Sequence, residues 1–321
     1  MLDVLLITFP FFALVLCGYV AARRRMLPFE AISGLNSFVL YFALPCMLYR
    51  FGATTPIAQL LDGSAIAVYL VCALVLVAFV VAVSMNRRIG WNDAAFGALV
   101  AAFPNTGFMG VPLLVALLGA GAAGPAILTI MVDLIITSSL CIALSRLDGA
   151  DEHGASKAAR HALKGAAVNP MPWAIILGAV ASGVGLTLPL PVMQTLGLLA
   201  DAASPVALFT IGAVLARSQF VGAAEEHAPL PARDFVPVAL AKLVAHPLLV
   251  WAVGTAVRAA GLPLDAFTLH VMILVAALPS ASNVSLLAER FGADTGRIAR
   301  IILLTTAAAF LTFSGAVALL R

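Results

Sequence analysis

Long apolar runs separated by short polar stretches fill the chain. Most of these runs approach the roughly 20 residues that an α-helix needs to cross a lipid bilayer. The pattern predicts ten membrane-spanning helices, at residues 4–22, 31–50, 64–85, 91–118, 124–145, 171–188, 194–215, 236–257, 265–289 and 297–320. We therefore expect an all-α polytopic membrane protein.

Two of the predicted spans are interrupted near their centres. The span at 91–118 contains residues 103–112, which read FPNTGFMGVP, and the span at 265–289 contains residues 278–283, which read LPSASN. Proline removes a backbone donor and glycine relaxes the backbone, so several peptide groups lose their helical partners there. In hydrocarbon such groups must be satisfied by protein or trapped water. Two broken helices at matching positions indicate a midplane binding site in a secondary transporter.

The longest polar connection divides the chain into two halves. Residues 147–170 form this linker, with five predicted spans at 1–146 and five at 171–321. Because five is odd, the second half enters the membrane in the opposite orientation, which is the arithmetic of an inverted repeat. Pro45 in the second span and Pro205 in the seventh add a weak echo between the halves. The sequence thus predicts two inverted five-helix repeats whose fourth and ninth helices are broken.

Composition and charge agree with a membrane protein. Hydrophobic residues make up 63% of the chain and charged residues 10%, far below the roughly 25% charged composition of soluble domains. The mean hydropathy is +1.09. The net charge of +3 is scattered between apolar runs, so it predicts contact with a lipid bilayer and no nucleic-acid partner.

The basic residues also predict an orientation. Of the 18 lysines and arginines, Arg50, Arg258 and Arg321 fall on one side of the ten-span arrangement, Lys242 lies inside a span, and the other fourteen fall on the opposite side. Cytoplasmic loops carry an excess of basic residues. Both termini are therefore expected outside, with the 147–170 linker in the cytoplasm.

No enzyme signature is found in the sequence. The four cysteines lie in apolar runs without CxxC spacing and are interpreted as small core residues, so no metal site and no cofactor is expected. An intramembrane aspartyl protease needs two facing aspartates, and only Asp133 lies near the middle of a span. The motifs of rhomboid-type serine proteases and of HExxH metalloproteases are missing as well. No catalytic residue is predicted.

Polar side chains stand beside each break. Asn105 and Thr106 follow the first crossover proline, and residues 280–283 follow the second. These residue types are favoured as N-caps of a new helical segment. Free amides and a positive dipole end would then point to the centre of the membrane and suit an anion or carboxylate. The alternative is a pair of functionless kinks that neighbouring helices satisfy.

At these residues the chain resembles the auxin efflux carrier family. The resemblance covers essentially the whole chain and rests on residues 103–112, 278–283 and 207–213, the last reading ALFTIGA. The family includes plant auxin exporters and bacterial carriers of malonate and related organic acids. Membership implies that broken helices four and nine cross, that a small organic anion moves by an elevator-type mechanism across the bacterial inner membrane, and that the protein is a homodimer.

The resemblance also implies where the substrate binds. Asn105 is expected near the substrate carboxylate, and polar residues after Pro279 are expected to contribute from the second half. The candidate substrate-binding residues are Pro104, Asn105, Thr106, Gly107, Pro279, Ser280, Ser282 and Asn283. The long hydrophilic loop of the plant members is missing, which leaves no basis for phosphoregulation and argues against auxin itself as the substrate.

The candidates for ion coupling are three ionisable residues inside predicted spans, Asp133, Lys242 and His246. Asp133 at a span centre costs about 2.5–3.5 kcal/mol on the insertion scale, so it should face the bundle interior, with Thr129 and Thr137 on the same face. It would either carry a proton or a sodium ion or simply stabilise a broken helix. Lys242 and His246 lie one turn apart. They would either line an ion pathway or act as a snorkelling lysine and a histidine that satisfies a freed carbonyl.

Two alternatives to a coupled carrier stay open. Broken helices also line channels, and an anion leaving a negatively charged cytoplasm needs no ion, so an anion channel or an uncoupled uniporter fits the same sequence. Saturable flux that exchanges with substrate on the other side would favour a carrier.

Overall fold

The structure is a computed structural model that describes residues 2–55, 59, 61–147, 170–224 and 231–320. Within these residues the chain is helical and forms no strand. Residues 148–169, which include nearly all of the predicted cytoplasmic linker, lie outside the described residues. The all-α class is confirmed.

Twelve helices are used below to locate residues in the described part of the chain. They are α1 Leu2–Arg23, α2 Phe29–Thr54, α3 Gly63–Ser84, α4 Trp91–Ala102, α5 Thr106–Leu118, α6 Ala120–Leu144, α7 Pro170–Gly183, α8 Leu190–Ala224, α9 Val236–Ala259, α10 Ala266–Ala276, α11 Val284–Phe291 and α12 Thr295–Leu320.

Seven of the helices in the described residues are long and apolar enough to cross a membrane, judged by length and composition. They are α1, α2, α3, α6, α8, α9 and α12, and α5, α7 and α10 are shorter apolar helices. The predicted span at 91–118 consists of two helices, α4 and α5, and the span at 265–289 consists of α10 and α11. The chain is a multi-pass membrane protein, and its arrangement as ten spans in two inverted repeats stays a prediction.

Prolines explain where three of these helices widen. A π turn at Val39–Ala43 precedes Pro45, one at Thr106–Gly110 precedes Pro112, and one at Ala241–Ala245 precedes Pro247. In each case the residue four positions before the proline lies in the π turn. Because proline has no N–H and its ring clashes with that residue's carbonyl, the helix relaxes into a wider turn.

The carbonyl that Pro112 leaves without a helical partner is satisfied by another helix. It belongs to Phe108, and the hydroxyl of Ser204 in α8 donates to it over 3.2 Å. The break in α5 is therefore tied to α8 by a hydrogen bond that the proline makes available.

One compact unit contains α1, α2, α5 from Gly107 onward, α6 up to Leu128, α7 and α8. We call it the first unit. In it α1 packs on α8, and α7 packs on α2. Each of these two helix pairs meets at glycines on both of its helices.

The glycines let backbone contact backbone. A Cβ at Gly18 of α1 would overlap the carbonyl of Phe209, and a Cβ at Gly212 of α8 would overlap the carbonyl of Val15. Residues Gly52 of α2 and Gly178 of α7 face carbonyls of the partner helix in the same way. Small residues at helix contacts in membranes permit this close approach. The motif at 207–213 is thus explained in part by packing, since it contains Gly212.

The other compact unit, the second unit, contains α3, α4, α6 from Thr129 onward and α9 to α12. Helices α4 and α10 lie in its interior, because every residue from Ala94 to Ala102 and from Val271 to Ala276 is buried. Both interior helices end at the prolines that interrupt the predicted spans. The second unit therefore holds both breaks at its core.

Candidate functional site

The two breaks in the second unit lie side by side. Residues 103–105 follow α4 and residues 278–281 follow α10, and Pro104 and Ser280 form an antiparallel bridge. The amide of Asn105 donates to the carbonyl of Pro279 over 2.8 Å, and the amide of Ala281 donates to the carbonyl of Phe103 over 3.0 Å. We call residues 103–106 and 278–283, which contain this bridge, the bridged segments. They pair several of the peptide groups that the prolines remove from the helices.

The predicted binding residues of the bridged segments are mostly buried. Asn105 is 4% exposed, Thr106 0% and Ser280 1%, and Pro104 and Pro279 are buried with them. Ser282 and Asn283 are half-buried. Gly107 falls in the first unit, next to the side chain of Leu44.

Three side-chain oxygens here are buried without a hydrogen-bond partner. They are Oγ1 of Thr106, Oγ of Ser280 and Oδ1 of Asn283. A buried polar group without a partner costs about 1–3 kcal/mol, so each one calls for an explanation. Three such groups on two paired segments form a polar surface with free hydrogen-bonding capacity, which a polar ligand could use.

Asn283 takes the predicted N-cap position of α11 without a capping hydrogen bond. Its backbone angles are φ −65° and ψ −18°, whereas a capping side chain requires an extended N-cap residue. The side chain is consequently left uncommitted by the helix that follows it.

A second polar cluster surrounds Asp133 in the second unit. Asp133 begins the π turn Asp133–Thr137 and is 0% exposed. Its carboxylate accepts hydrogen bonds from the hydroxyl of Tyr69 at 2.9 Å and from that of Thr137 at 3.0 Å. Thr129 is buried as well. The predicted inward-facing aspartate is thus buried and bonded, and Tyr69 is a partner that the sequence did not reveal.

Lys242 and His246 are also fully buried. The Lys242 ammonium donates to the carbonyl of Ala276 over 2.9 Å and lies 3.1 Å from Nδ1 of His246. Nε2 of His246 is buried without a partner. The His246 ring lies 6.1 Å from the ring of Tyr69, centroid to centroid. The amino group of Lys242 is therefore bonded inside the second unit.

Asp133 and Lys242 do not form a direct ion pair. Among the described residues no contact within 4.0 Å joins their charged groups, although the two charges are close enough to interact electrostatically. A buried carboxylate beside a separate buried amine can hold a proton or a monovalent cation without either group leaving the core. No group of three or more potential metal ligands is found in the described part of the chain.

Arg297 is a buried residue whose role the sequence did not predict. It counts among the basic residues that set the orientation, yet it is 2% exposed. Its guanidinium donates to the carbonyls of Asp93 and Asp234, each at 2.7 Å. A Cβ at Gly97 would lie 2.7 Å from its Nη1, so only glycine leaves room for this contact. Arg297 fastens the beginnings of α4 and α12 to the stretch before α9.

Comparison with known proteins identifies the class. A model of the family described as "Membrane transport protein" matches residues 4–317, nearly the whole chain. The protein is a membrane transporter that acts on a small molecule. It belongs to this membrane transport family, and the predicted membership of the auxin efflux carrier family is confirmed.

Curated relatives agree with the family. A protein of Rhizobium meliloti (strain 1021), named "Putative malonate transporter", is 29% identical over 97% of this chain and 94% of its own. The "Uncharacterized transporter YfdV" of Escherichia coli (strain K12) is 29% identical over 89% of this chain and 88% of its own. An "Uncharacterized transporter" of Methanothermobacter thermautotrophicus is 25% identical over 91% of this chain and 90% of its own.

Proposed function

We propose that this protein is a secondary transporter of a small organic anion, which binds at the bridged segments. The observation that carries the proposal is the pair of buried, unpaired hydroxyls of Thr106 and Ser280, one on each segment. The amide of Asn283 could add its Nδ2 as a donor, whereas its unpaired Oδ1 can only accept. Hydroxyl and amide groups donate hydrogen bonds to a carboxylate without bringing a permanent charge into the site. A bound carboxylate would then accept hydrogen bonds from the hydroxyls of Thr106 and Ser280.

The proposed substrate class is supported by this donor set and by the name of one relative. Asn105 would bind a carboxylate together with Thr106 from one segment, and Ser280, Ser282 and Asn283 would bind from the other. Donors on both segments suit a molecule with more than one carboxylate. The name of the Rhizobium meliloti relative points to such a compound, malonate, and we propose a malonate-like dicarboxylate rather than auxin.

The inverted-repeat arrangement is supported by the helix pairs of the first unit. Under a repeat of five spans, α1 corresponds to α7 and α2 to α8. The pair α1–α8 then maps onto the pair α7–α2, and both pairs meet at glycines on both helices. We propose ten spans in two inverted repeats and an elevator-type mechanism in which the second unit carries the substrate.

In this proposal Asp133 binds the ion that is coupled to transport. An importer of an anion must bring in a compensating cation, since each charge moved across 100 mV is worth about 2.3 kcal/mol. Asp133 would hold the proton or sodium ion, with Lys242 and His246 close to the same path. The second candidate is an uncoupled uniporter or anion channel, in which Asp133 only stabilises its helix through Tyr69 and Thr137.

The proposed location is the bacterial inner membrane, with both termini outside and a homodimeric assembly. Single cysteines at Ser156 and Gly222, in a background without the native cysteines, should then react with impermeant thiol reagents only from the cytoplasm. Ser156 lies outside the described residues, and Gly222 lies in α8. Labelling of both from outside intact cells would overturn the proposed orientation.

Substitutions in the bridged segments test the binding site. Asn105→Ala should abolish transport while leaving expression and folding near normal, and Asn283→Ala should weaken the apparent affinity. Thr106→Val removes the unpaired hydroxyl at constant shape and should also weaken binding. Thr312→Val is a matched control, because Thr312 is exposed on α12.

Binding is measured directly as thermal stabilisation of the purified protein by a panel of monocarboxylates and dicarboxylates. A ligand at 100 times its Kd stabilises the folded state by about 2.7 kcal/mol. The proposal fails if Asn105→Ala and Thr106→Val keep wild-type stabilisation and wild-type uptake kinetics.

A further inference from the structure

We propose that Lys242 is a positioning residue for the second bridged segment, and that it acts together with Thr305 to hold the break after α10 open. The inference rests on the proposed function, because it concerns the segment to which the substrate is assigned. It gives Lys242 a role distinct from carrying an ion.

Two backbone groups at the break after α10 would be bonded to each other in an uninterrupted helix. In an α-helix the amide of residue 280 would donate to the carbonyl of residue 276. Here the carbonyl of Ala276 accepts from the Lys242 ammonium at 2.9 Å, and the amide of Ser280 donates to the hydroxyl of Thr305 at 3.3 Å. Each half of the missing helical bond has therefore been taken over by a side chain from another helix.

The exchange puts Ser280 where the bridge needs it. Pro279 has no N–H and could not continue the helix. A proline does not by itself determine which path the backbone takes after it. With its amide bound to Thr305, Ser280 pairs with Pro104 in the bridge. Its Oγ is then left buried without a partner. The side chains of Lys242 and Thr305 thus set the position of the Ser280 hydroxyl, a proposed substrate-binding group.

The local sequence holds Lys242 in place for this contact. Lys242 lies in the π turn that precedes Pro247, and His246 follows one turn later. Nδ1 of His246 lies 3.1 Å from Nζ of Lys242, so the amino group is held from two sides. A cation at the carbonyl end of α10 is also favoured by the dipole of that helix.

The amino group of Lys242 is bonded to groups of α9 and α10 rather than to Asp133. Its contacts within hydrogen-bonding distance are the Ala276 carbonyl and His246. Loss of the amino group should consequently change how well the substrate binds, even where no ion gradient is present. Loss of an ion carrier would instead change only how far substrate accumulates.

The test measures the half-saturation concentration for counterflow exchange of malonate in proteoliposomes without an ion gradient. We expect Lys242→Met to raise it about tenfold, which corresponds to about 1.4 kcal/mol. Lys242→Gln keeps an N–H donor without the charge and should restore part of the affinity. Thr305→Val should raise the half-saturation concentration as well, and its effect should be non-additive with that of Lys242→Met. Thr312→Val on the same helix is the control.

A second background protects the test against misfolding. Lys242→Met leaves the Asp133 carboxylate buried without a nearby amine, which could itself disturb folding. The effect of Lys242→Met is therefore also measured in a protein that already carries Asp133→Asn, by comparing the single variant Asp133→Asn with the double variant. An unchanged half-saturation concentration in that pair, or equal behaviour of the Met and Gln variants, would overturn the inference. If Asn105→Ala and Thr106→Val also leave binding unchanged, the proposed substrate site itself has failed.

Discussion

The two compact units hold their helices together in different ways. In the first unit, α1 and α8, and likewise α7 and α2, meet backbone to backbone at glycines. In the second unit, buried charged and hydrogen-bonded side chains join the helices, with Asp133, Lys242 and Arg297 all nearly inaccessible. Among the described residues every buried charged side chain belongs to the second unit.

The two kinds of contact differ in whether they contain groups that can bind a proton or a ligand. Contacts between backbones carry no group that can gain or lose a proton, and glycine permits no alternative rotamer. Buried charges cost several kcal/mol of desolvation each and are kept only where partners or function compensate for them. The contrast supports the proposal that the ligand and any coupling ion bind in the second unit. The following predictions test the contrast.

The largest effect is expected at Asp133. Asp133→Asn should keep substrate binding and exchange but lose accumulation driven by a pH gradient in proteoliposomes, because the amide cannot take up a proton. Asp201→Asn, which changes an exposed carboxylate of the first unit, should accumulate substrate normally. Accumulation by Asp133→Asn under an imposed pH gradient would make Asp133 structural and favour a uniporter.

The next largest effect is expected at Arg297. Arg297→Met removes charge-assisted hydrogen bonds to the carbonyls of Asp93 and Asp234 and should cost about 3–5 kcal/mol of unfolding free energy. Denaturant unfolding in detergent measures the loss. Arg88→Met, at an exposed arginine, should change stability by less than about 0.5 kcal/mol. Equal losses in the two variants would show that burial of Arg297 contributes nothing.

A smaller effect is expected at the glycine contacts of the first unit. Gly212→Ala places a methyl group against the carbonyl of Val15 and should destabilise the protein by about 1–3 kcal/mol, as overpacking does. Gly197 lies in the same helix with no atom near its Cβ position, so Gly197→Ala should leave stability unchanged or raise it by up to about 1 kcal/mol. Thermal unfolding of the pair decides whether backbone contact matters.

The smallest effect is expected at the ion pair of the first unit. Arg50 and Asp201 lie 2.7 Å apart, with side chains 35% and 69% exposed. Solvent screens such a pair, so Arg50→Ala should cost about 0–1 kcal/mol, and the cost should shrink further at high salt. A loss comparable to that of Arg297→Met would remove the distinction between the units.

Local physics made much of this architecture predictable from sequence. Apolar runs long enough for a bilayer predicted helices, and prolines at 104 and 279 marked where two of them stop. A proline acts on its own chain through its missing N–H and its ring, so its effect can be inferred without knowing any neighbour. The burial of Asp133 followed in the same way from the cost of a carboxylate in an apolar run.

Tertiary structure decided which groups compensate for those local defects. Tyr69 donates to Asp133, Lys242 binds the carbonyl of Ala276, and Thr305 binds the amide of Ser280. These partners are separated by 64, 34 and 25 positions in the chain, and no periodicity links them. The sequence determined where backbone groups lose their helical partners, whereas only the packing of distant helices determined which side chains replace those partners, because such contacts depend on distances that chain order does not contain.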